Sequence, residues 1–467
     1  MSIEFPPVRT AAKDCPKCKS RRVPCDRTLP QCRKCIKRNV DCPGYGIILR
    51  WNQGVASRGK WAGKTIPQRT PIENFAHPNT LYPCHLNGLD FRLIHHFNQH
   101  IATKLAWVDG PANPWRNMIL PLSFASETVL FSLLALAAED FAHRYPADHG
   151  CFRELQAVSL GCRDKAVPLL ANKLDVLLEV SDPSTPVHHH ARCVLASVLL
   201  LYNLELLIAE ESRWRIHIQG ARAVIQWKTQ AARSSAPIDK ADVFLLYEYY
   251  FTAVFIGLMS FDPADEIEDD IPTDDSVTIF CDFVRIIHSV TRAERVMYTT
   301  GSQPDPTSLA DIVAEIERAK TRTTQSGQAV LFKSHAAQCD FVHLVSMYYH
   351  ASLIYSHRVL STDDGASEPR IISSRASILD HLSRLVDSST FAHDLVWPLF
   401  IAGTECRGLV AEQQTIEQAL LNVMYVSGCL DRRRVLSFLK QFWRLDRDIT
   451  WFEMARTVPR ESKFIII

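Results

Sequence analysis

Six cysteines packed into 28 residues constrain this chain more than any other feature. Cys15-Pro-Lys-Cys18 and Cys25 recur as Cys32-Arg-Lys-Cys35 and Cys42, so each half reads C-x2-C-x6-C and six residues join the halves. A segment this short cannot bury enough apolar surface to fold unaided. Two cysteines separated by two residues lie about one turn apart and can grip one tetrahedral zinc ion at Zn–S near ~2.3 Å, while the third closes the loop from behind. Three thiolates leave each ion one ligand short. Two ions need eight ligand positions and six cysteines offer six, so the count closes if one cysteine from each half bridges both metals; Cys15 and Cys32 are the symmetric choices. Metal binding then supplies most of the folding free energy.

A rival reading takes Cys15, Cys18, Cys32 and Cys35 alone as C-x2-C-x13-C-x2-C, a single-zinc finger. It leaves Cys25 and Cys42 as accidents, although each follows its C-x2-C pair by the same seven positions. The other eight cysteines are scattered singly, and the first residues lack a basic stretch followed by an apolar run. Both features favour a reducing compartment with one metal site over a disulfide framework.

Charge divides unevenly along the chain. Residues 1–70 hold sixteen Lys and Arg against four acids (Glu4, Asp14, Asp26, Asp41), about +12, whereas the whole chain is +1, which leaves about −11 for the rest. Six thiolates on two divalent ions carry −2, and the cations of the block exceed what offsets that. The surplus suits a polyanion, because neutralised phosphates release counterions.

The block resembles the DNA-binding domain of fungal zinc binuclear cluster transcription factors. Their pattern of C-x2-C, a basic helix, C, a proline-containing loop, C-x2-C and C is matched by Cys15, Cys18, Lys19-Ser-Arg21-Arg22, Cys25, Pro30, Cys32, Cys35 and Cys42. The resemblance implies two zinc ions per chain, one held by Cys15, Cys18, Cys25 and Cys32, the other by Cys32, Cys35, Cys42 and Cys15. It implies a nuclear regulator of RNA polymerase II genes whose first short helix enters the major groove of double-stranded DNA at a CGG-type triplet. Arg21 and Arg22 match the family's base readers, and an Arg can donate two hydrogen bonds to guanine O6 and N7. Lys17, Lys19, Lys34, Lys37 and Arg38 are placed as phosphate contacts, which orient without reading sequence.

Pro24 departs from that pattern, where a basic residue commonly precedes the third cysteine. Proline disfavours helix at Val23, so the recognition helix is expected to stop by Arg22 with one phosphate contact missing. Downstream, Gly44-Tyr-Gly-Ile-Ile-Leu-Arg50-Trp51 and Gly54-Val-Ala-Ser-Arg58-Gly59-Lys60-Trp61 suit either an arm that tracks a minor groove, with Arg58 and Lys60 on phosphates, or a plain linker.

The expected organisation is mainly α: a tail (1–14), the zinc cluster (15–45), a basic Gly-rich linker (46–86) and a large all-α regulatory domain (87–467). Apolar positions three and four apart recur at 91–97, 128–138, 194–204, 214–229, 242–259, 276–298, 308–322, 331–360, 371–387, 410–430 and 432–446, with no alternating strand. No run of about 18 uninterrupted apolar residues predicts a membrane span, and no heptad run after the cysteines supports a coiled-coil dimer. The body is similar to the helical regulatory region of these fungal factors in Trp107-Val-Asp-Gly-Pro-Ala-Asn-Pro-Trp115, Trp214-Arg-Ile-His-Ile-Gln-Gly-Ala-Arg and Trp397-Pro-Leu-Phe-Ile-Ala-Gly, which implies a small-molecule effector and coregulators as partners.

No phosphate loop, nucleophile elbow or H-E-x-x-H motif appears, so no enzyme is expected; the alternative is a helical enzyme or ligand-binding protein tethered to chromatin by the cluster. His188-His-His190 with Cys193 cannot converge on one ion, since consecutive helical residues point about 100° apart. The acidic run Asp262–Asp275 lacks calcium-loop spacing and reads as a solvated loop, with contact to coactivators the competing role.

Overall fold

The computed structural model describes residues 14–28, 31–40, 42, 86–179, 185–208, 214–231, 239–261, 279–362, 364–445, 449–459 and 463–466. Tertiary contacts divide the chain into two compact units, residues 1–79 and 80–467. Among the described residues there is no strand. The first unit carries α1 (Pro16–Ser20) and α2 (Arg33–Ile36).

Among the described residues the second carries α3 (Gly88–His96), α4 (Ala102–Leu105), α5 (Leu120–Ala125), α6 (Glu127–Ala142), α7 (Gly150–Glu179), α8 (Thr185–Leu207), α9 (Trp214–Ala231), α10 (Lys240–Met259), α11 (Cys281–Thr300), α12 (Pro306–Gln328), α13 (His335–Leu360), α14 (Asp364–Ser383), α15 (Val396–Thr404), α16 (Val410–Ser427), α17 (Arg433–Phe442) and α18 (Trp451–Thr457). Boundaries follow local chemistry. Asn87 with Asp90 and Thr450 with Glu453 form reciprocal caps at the starts of α3 and α18. Asp305 caps α12 ahead of Pro306, while α11 and α16 end on Gly301 and Gly428 at φ +67° and +76°.

Two helices organise the body. α6 is enclosed by α3, α5, α7 and α8, and α13 by α11, α12, α14 and α15. The tryptophan-bearing segments singled out in the sequence are core: Trp115, Trp214 and Trp397 are all but inaccessible, and Trp107 stacks on Phe280 at 4.9 Å. Tyr348 touches both Phe280 and Trp397. One acid breaks the apolar run of α10: Glu248 sits among the buried Tyr247, Tyr249 and Tyr250, and burial first, then the Asp394 carboxyl, push its pKa up to about 8.

Hydrophobic periodicity missed α7, at 30 residues the longest described helix. Its buried stripe runs Leu155, Ser159, Cys162, Ala166, Leu170 and Leu177, so half of it is small residues that carry little apolar signal. α8 and α10 are long and apolar enough to cross a membrane, but 83% and 72% of the residues concerned are buried inside the protein, where the same composition makes a core helix. The three histidines of α8 diverge as expected: His189 meets Cys193, His190 meets the Lys173 carbonyl, and the His188 ring lies beside Trp227. The tail to residue 13, nearly all of the linker and the acidic run beyond residue 261 lie outside the described residues.

Candidate metal centre and nucleic-acid interface

The two halves of the cysteine block fold alike, seventeen residues apart. In each, the first cysteine caps a short helix and its sulfur accepts an N–H from the second: Cys18 N to Cys15 Sγ and Cys35 N to Cys32 Sγ, both 3.3 Å. In each, a left-handed residue follows the helix, Arg22 and Asn39, both at φ 52°. The next residue then donates back across the turn, Val23 N to Cys18 O and Val40 N to Cys35 O, both 3.1 Å. This turn points the chain towards the third cysteine of each half.

The helix end at Ser20 agrees with the sequence expectation, but its cause does not. The second half ends in the same left-handed turn although Asp41 stands where the first half has Pro24. The turn itself, rather than the proline, stops the helix. A left-handed conformation strains most side chains and is tolerated best by Gly and Asn. Asn39 suits that demand; Arg22 meets it at some cost.

Sulfur geometry fits zinc. The sulfurs of Cys15, Cys18, Cys32 and Cys35 all lie within 4.8 Å of one another and the four residues are buried. Cys15–Cys32, Cys15–Cys35, Cys18–Cys32 and Cys18–Cys35 separations are 3.7, 3.8, 3.6 and 3.8 Å. Disulfides would require about 2.05 Å, whereas thiolates around a tetrahedral zinc at about 2.3 Å stand about 3.8 Å apart. Cys42 Sγ is 4.0 Å from Cys32 Sγ and also meets Cys15, and Cys25 meets Cys18, so both third cysteines adjoin the quartet. Burial pushes the Cys15 thiol up to about 12 and raises Cys18 and Cys32 as well. Ion binding must therefore displace thiol protons, which makes affinity fall with acidity.

Asp26 was not among the residues the sequence reading selected, yet it ties the two halves together. One carboxylate oxygen accepts Thr28 Oγ1 at 2.6 Å, Thr28 N at 3.1 Å and Arg33 N at 3.1 Å, and the other accepts Lys34 N at 2.9 Å. The Thr28 hydroxyl, followed by these backbone donors, holds its carboxyl far below the usual range. Asp26 thus satisfies the first free N–H groups of α2 from across the loop. Its only sequence signal is the Asp-x-Thr turn pattern. Nearby, Arg27 Nε donates to Asp14 at 2.7 Å.

Among the described residues of this unit, cations lie on the outside. Lys17, Lys19, Arg22, Arg33, Lys34, Lys37 and Arg38 are exposed and Arg21 is half-buried at the C-cap of α1. Both expected base readers thus lie on the cap and the turn after α1, not within the helix. Arg58 and Lys60 lie outside the described residues.

Comparison with known proteins agrees on both units. The model of the fungal Zn(2)-Cys(6) binuclear cluster domain matches residues 13–52, and that of the fungal specific transcription factor domain matches residues 92–462, most of the chain. The chain belongs to the fungal Zn(2)-Cys(6) transcription factors. Among curated relatives of this zinc-cluster factor, "Acriflavine sensitivity control protein acr-2" of Neurospora crassa is 49% identical over 71 residues, 15% of this chain and 11% of that protein. "Arginine metabolism regulation protein II" of Saccharomyces cerevisiae is 40% identical over 57 residues, 12% and 6% of the two chains. "Zn(2)-C6 fungal-type transcription factor afumD" of Aspergillus fumigatus is 26% identical over 144 residues, 30% and 35%. The zinc-cluster factor therefore spans about a third or less of each relative's length. Zinc binding, DNA binding and transcription regulation are the properties of this family, which are not those of an enzyme.

Proposed function

We propose that the cluster holds two zinc ions through Cys15, Cys18, Cys25, Cys32, Cys35 and Cys42, with Cys15 and Cys32 shared, and presents Arg21 and Arg22 to a CGG-type site at RNA polymerase II genes in the nucleus. The observation that carries this reading is the seventeen-residue structural repeat, in which each half offers a first cysteine capped by backbone N–H and a third cysteine beside the quartet. A single tetrahedral ion uses four of these sulfurs and gives Cys25 and Cys42 no task. Bound zinc supplies the cross-link that a core of this size lacks. Lys17, Lys19, Lys34, Lys37 and Arg38, on or next to α1 and α2, are suited to flanking phosphates. The helical body then receives an effector or recruits coregulators.

Metal content and DNA selection test this together. The full chain should contain two zincs, fall to less than two in Cys25→Ser and in Cys42→Ser, and select sites with a common CGG core that Arg21→Ala and Arg22→Ala bind less well. One zinc per chain, or unchanged affinity of both Arg variants for the selected site, would overturn the reading.

A further inference from the structure

A cluster of histidines lies on the seam between α13 and α14, far along the chain from the cysteines. His343 Nδ1 of α13 and His381 Nδ1 of α14 face each other at 2.9 Å, with ring centroids 5.2 Å apart. His350, two turns further along α13, stacks on His381 at 6.2 Å and 29°, and its own Nδ1 pairs with the Ser374 hydroxyl at 3.3 Å. Two neutral imidazoles with like nitrogens in contact can share only one N–H, so a plain hydrogen bond locks one ring into each tautomer. An ion would instead use both lone pairs. Two imidazole nitrogens at 2.0–2.1 Å from one ion, at about 90–109°, stand about 2.9–3.4 Å apart.

We propose that His343 and His381 form a site for a divalent transition-metal ion of the zinc or nickel type, separate from the cysteine cluster. The two rings come from different helices along an extensively packed seam, so their separation is set by helix packing before any ion arrives. Both are only partly buried, which leaves the ion an entry path and open positions for water. Burial first, then His343, lowers the pKa of His381; burial, His381 and Lys320 of α12 push His350 down to about 4. Asp380 and Arg384 also act on His381, in opposite directions. One turn before His343 on the same helix, Cys339 Sγ lies 3.5 Å from His335 Nδ1 and is the nearest competing pair.

The test is calorimetric titration of the zinc-loaded full chain with Ni2+ at pH 7.5. Zinc release is measured in parallel, so that exchange into the cysteine cluster is counted separately. The expected result is one saturable Ni2+ equivalent without zinc release, lost in H343Q and in H381Q and retained in H335Q and C339S. Glutamine keeps a hydrogen-bonding group at the seam, and circular dichroism of each variant confirms that the helices persist. Absence of the extra equivalent in the unmodified chain, its survival in H343Q and H381Q, or its loss in H335Q or C339S would each overturn the assignment.

Discussion

The division of labour among the cluster's cations can be measured through salt. Five exposed side chains, Lys17, Lys19, Lys34, Lys37 and Arg38, are assigned to phosphates. Each neutralised phosphate contributes about −0.9 to the slope of log affinity against log salt, so five give about −4.5 and about a 500-fold loss between 50 and 200 mM. Replacing Lys34 and Lys37 by Ala, both on or next to α2 rather than at the end of α1 where Arg21 and Arg22 stand, should change the slope to about −2.7 and shrink that loss to about 40-fold. At 0.15 M salt the same change weakens binding about 30-fold, equally for selected and random DNA. Arg21→Ala should behave differently, costing about 1–3 kcal/mol on the selected site and relaxing preference at one guanine. Fluorescence anisotropy of the full chain on labelled duplexes, from 50 to 300 mM salt, separates the two. If Lys34→Ala with Lys37→Ala leaves the slope unchanged, or weakens only the selected duplex, the phosphate assignment is wrong.

Three further outcomes follow from the same structure. Chelation of zinc should abolish DNA binding while far-ultraviolet circular dichroism barely changes, because α1 and α2 hold only five and four residues and the other described helices belong to the second unit, which packs around a large cluster of buried apolar side chains; a large loss of helix on chelation would contradict this. Glu248 carries a raised folded-state pKa, so the folded protein binds the proton more tightly than the unfolded chain. Stability should be unaffected below the ordinary value of 4.5 and fall as pH rises towards about 8, at about 1.4 kcal/mol per unit and several kcal/mol in total. Urea titrations from pH 5 to 8.5 should show Glu248→Gln flattening that fall, and an unchanged pH profile would place the carboxyl in water. In α12, a methyl on Gly327 would overlap the buried ring of Phe341 on α13, so Gly327→Ala should destabilise the body by about 1–3 kcal/mol; an equal or higher melting temperature would mean that the ring has room to turn.

The cluster was legible in the sequence because its metal ligands are written as spacing: the repeated C-x2-C-x6-C marks the candidate sulfurs, and a surplus of cations beside them points to a polyanion. The body was legible as α-helical where Leu, Ile, Val and Phe mark one face, as with Phe283, Val284, Ile286, Ile287 and Val290 of α11, or where an apolar run is too long for a strand, as in α8 and α10. It was not legible in α7, where Ser159, Cys162 and Ala166 complete the buried stripe with atoms too few to register. Tertiary structure alone decided the rest. Asp26 reaches α2 across a loop, so its role depends on where the loop places it rather than on any local pattern. The left-handed turns at Arg22 and Asn39 arise from returning the chain to the metal site, a closure that no neighbour in sequence reveals. His343 and His381 are 38 positions apart and meet only because α14 folds back along α13. Local spacing encodes contacts within a turn or two; contacts between elements depend on how helices pack, and that was settled only when the core closed around α6 and α13.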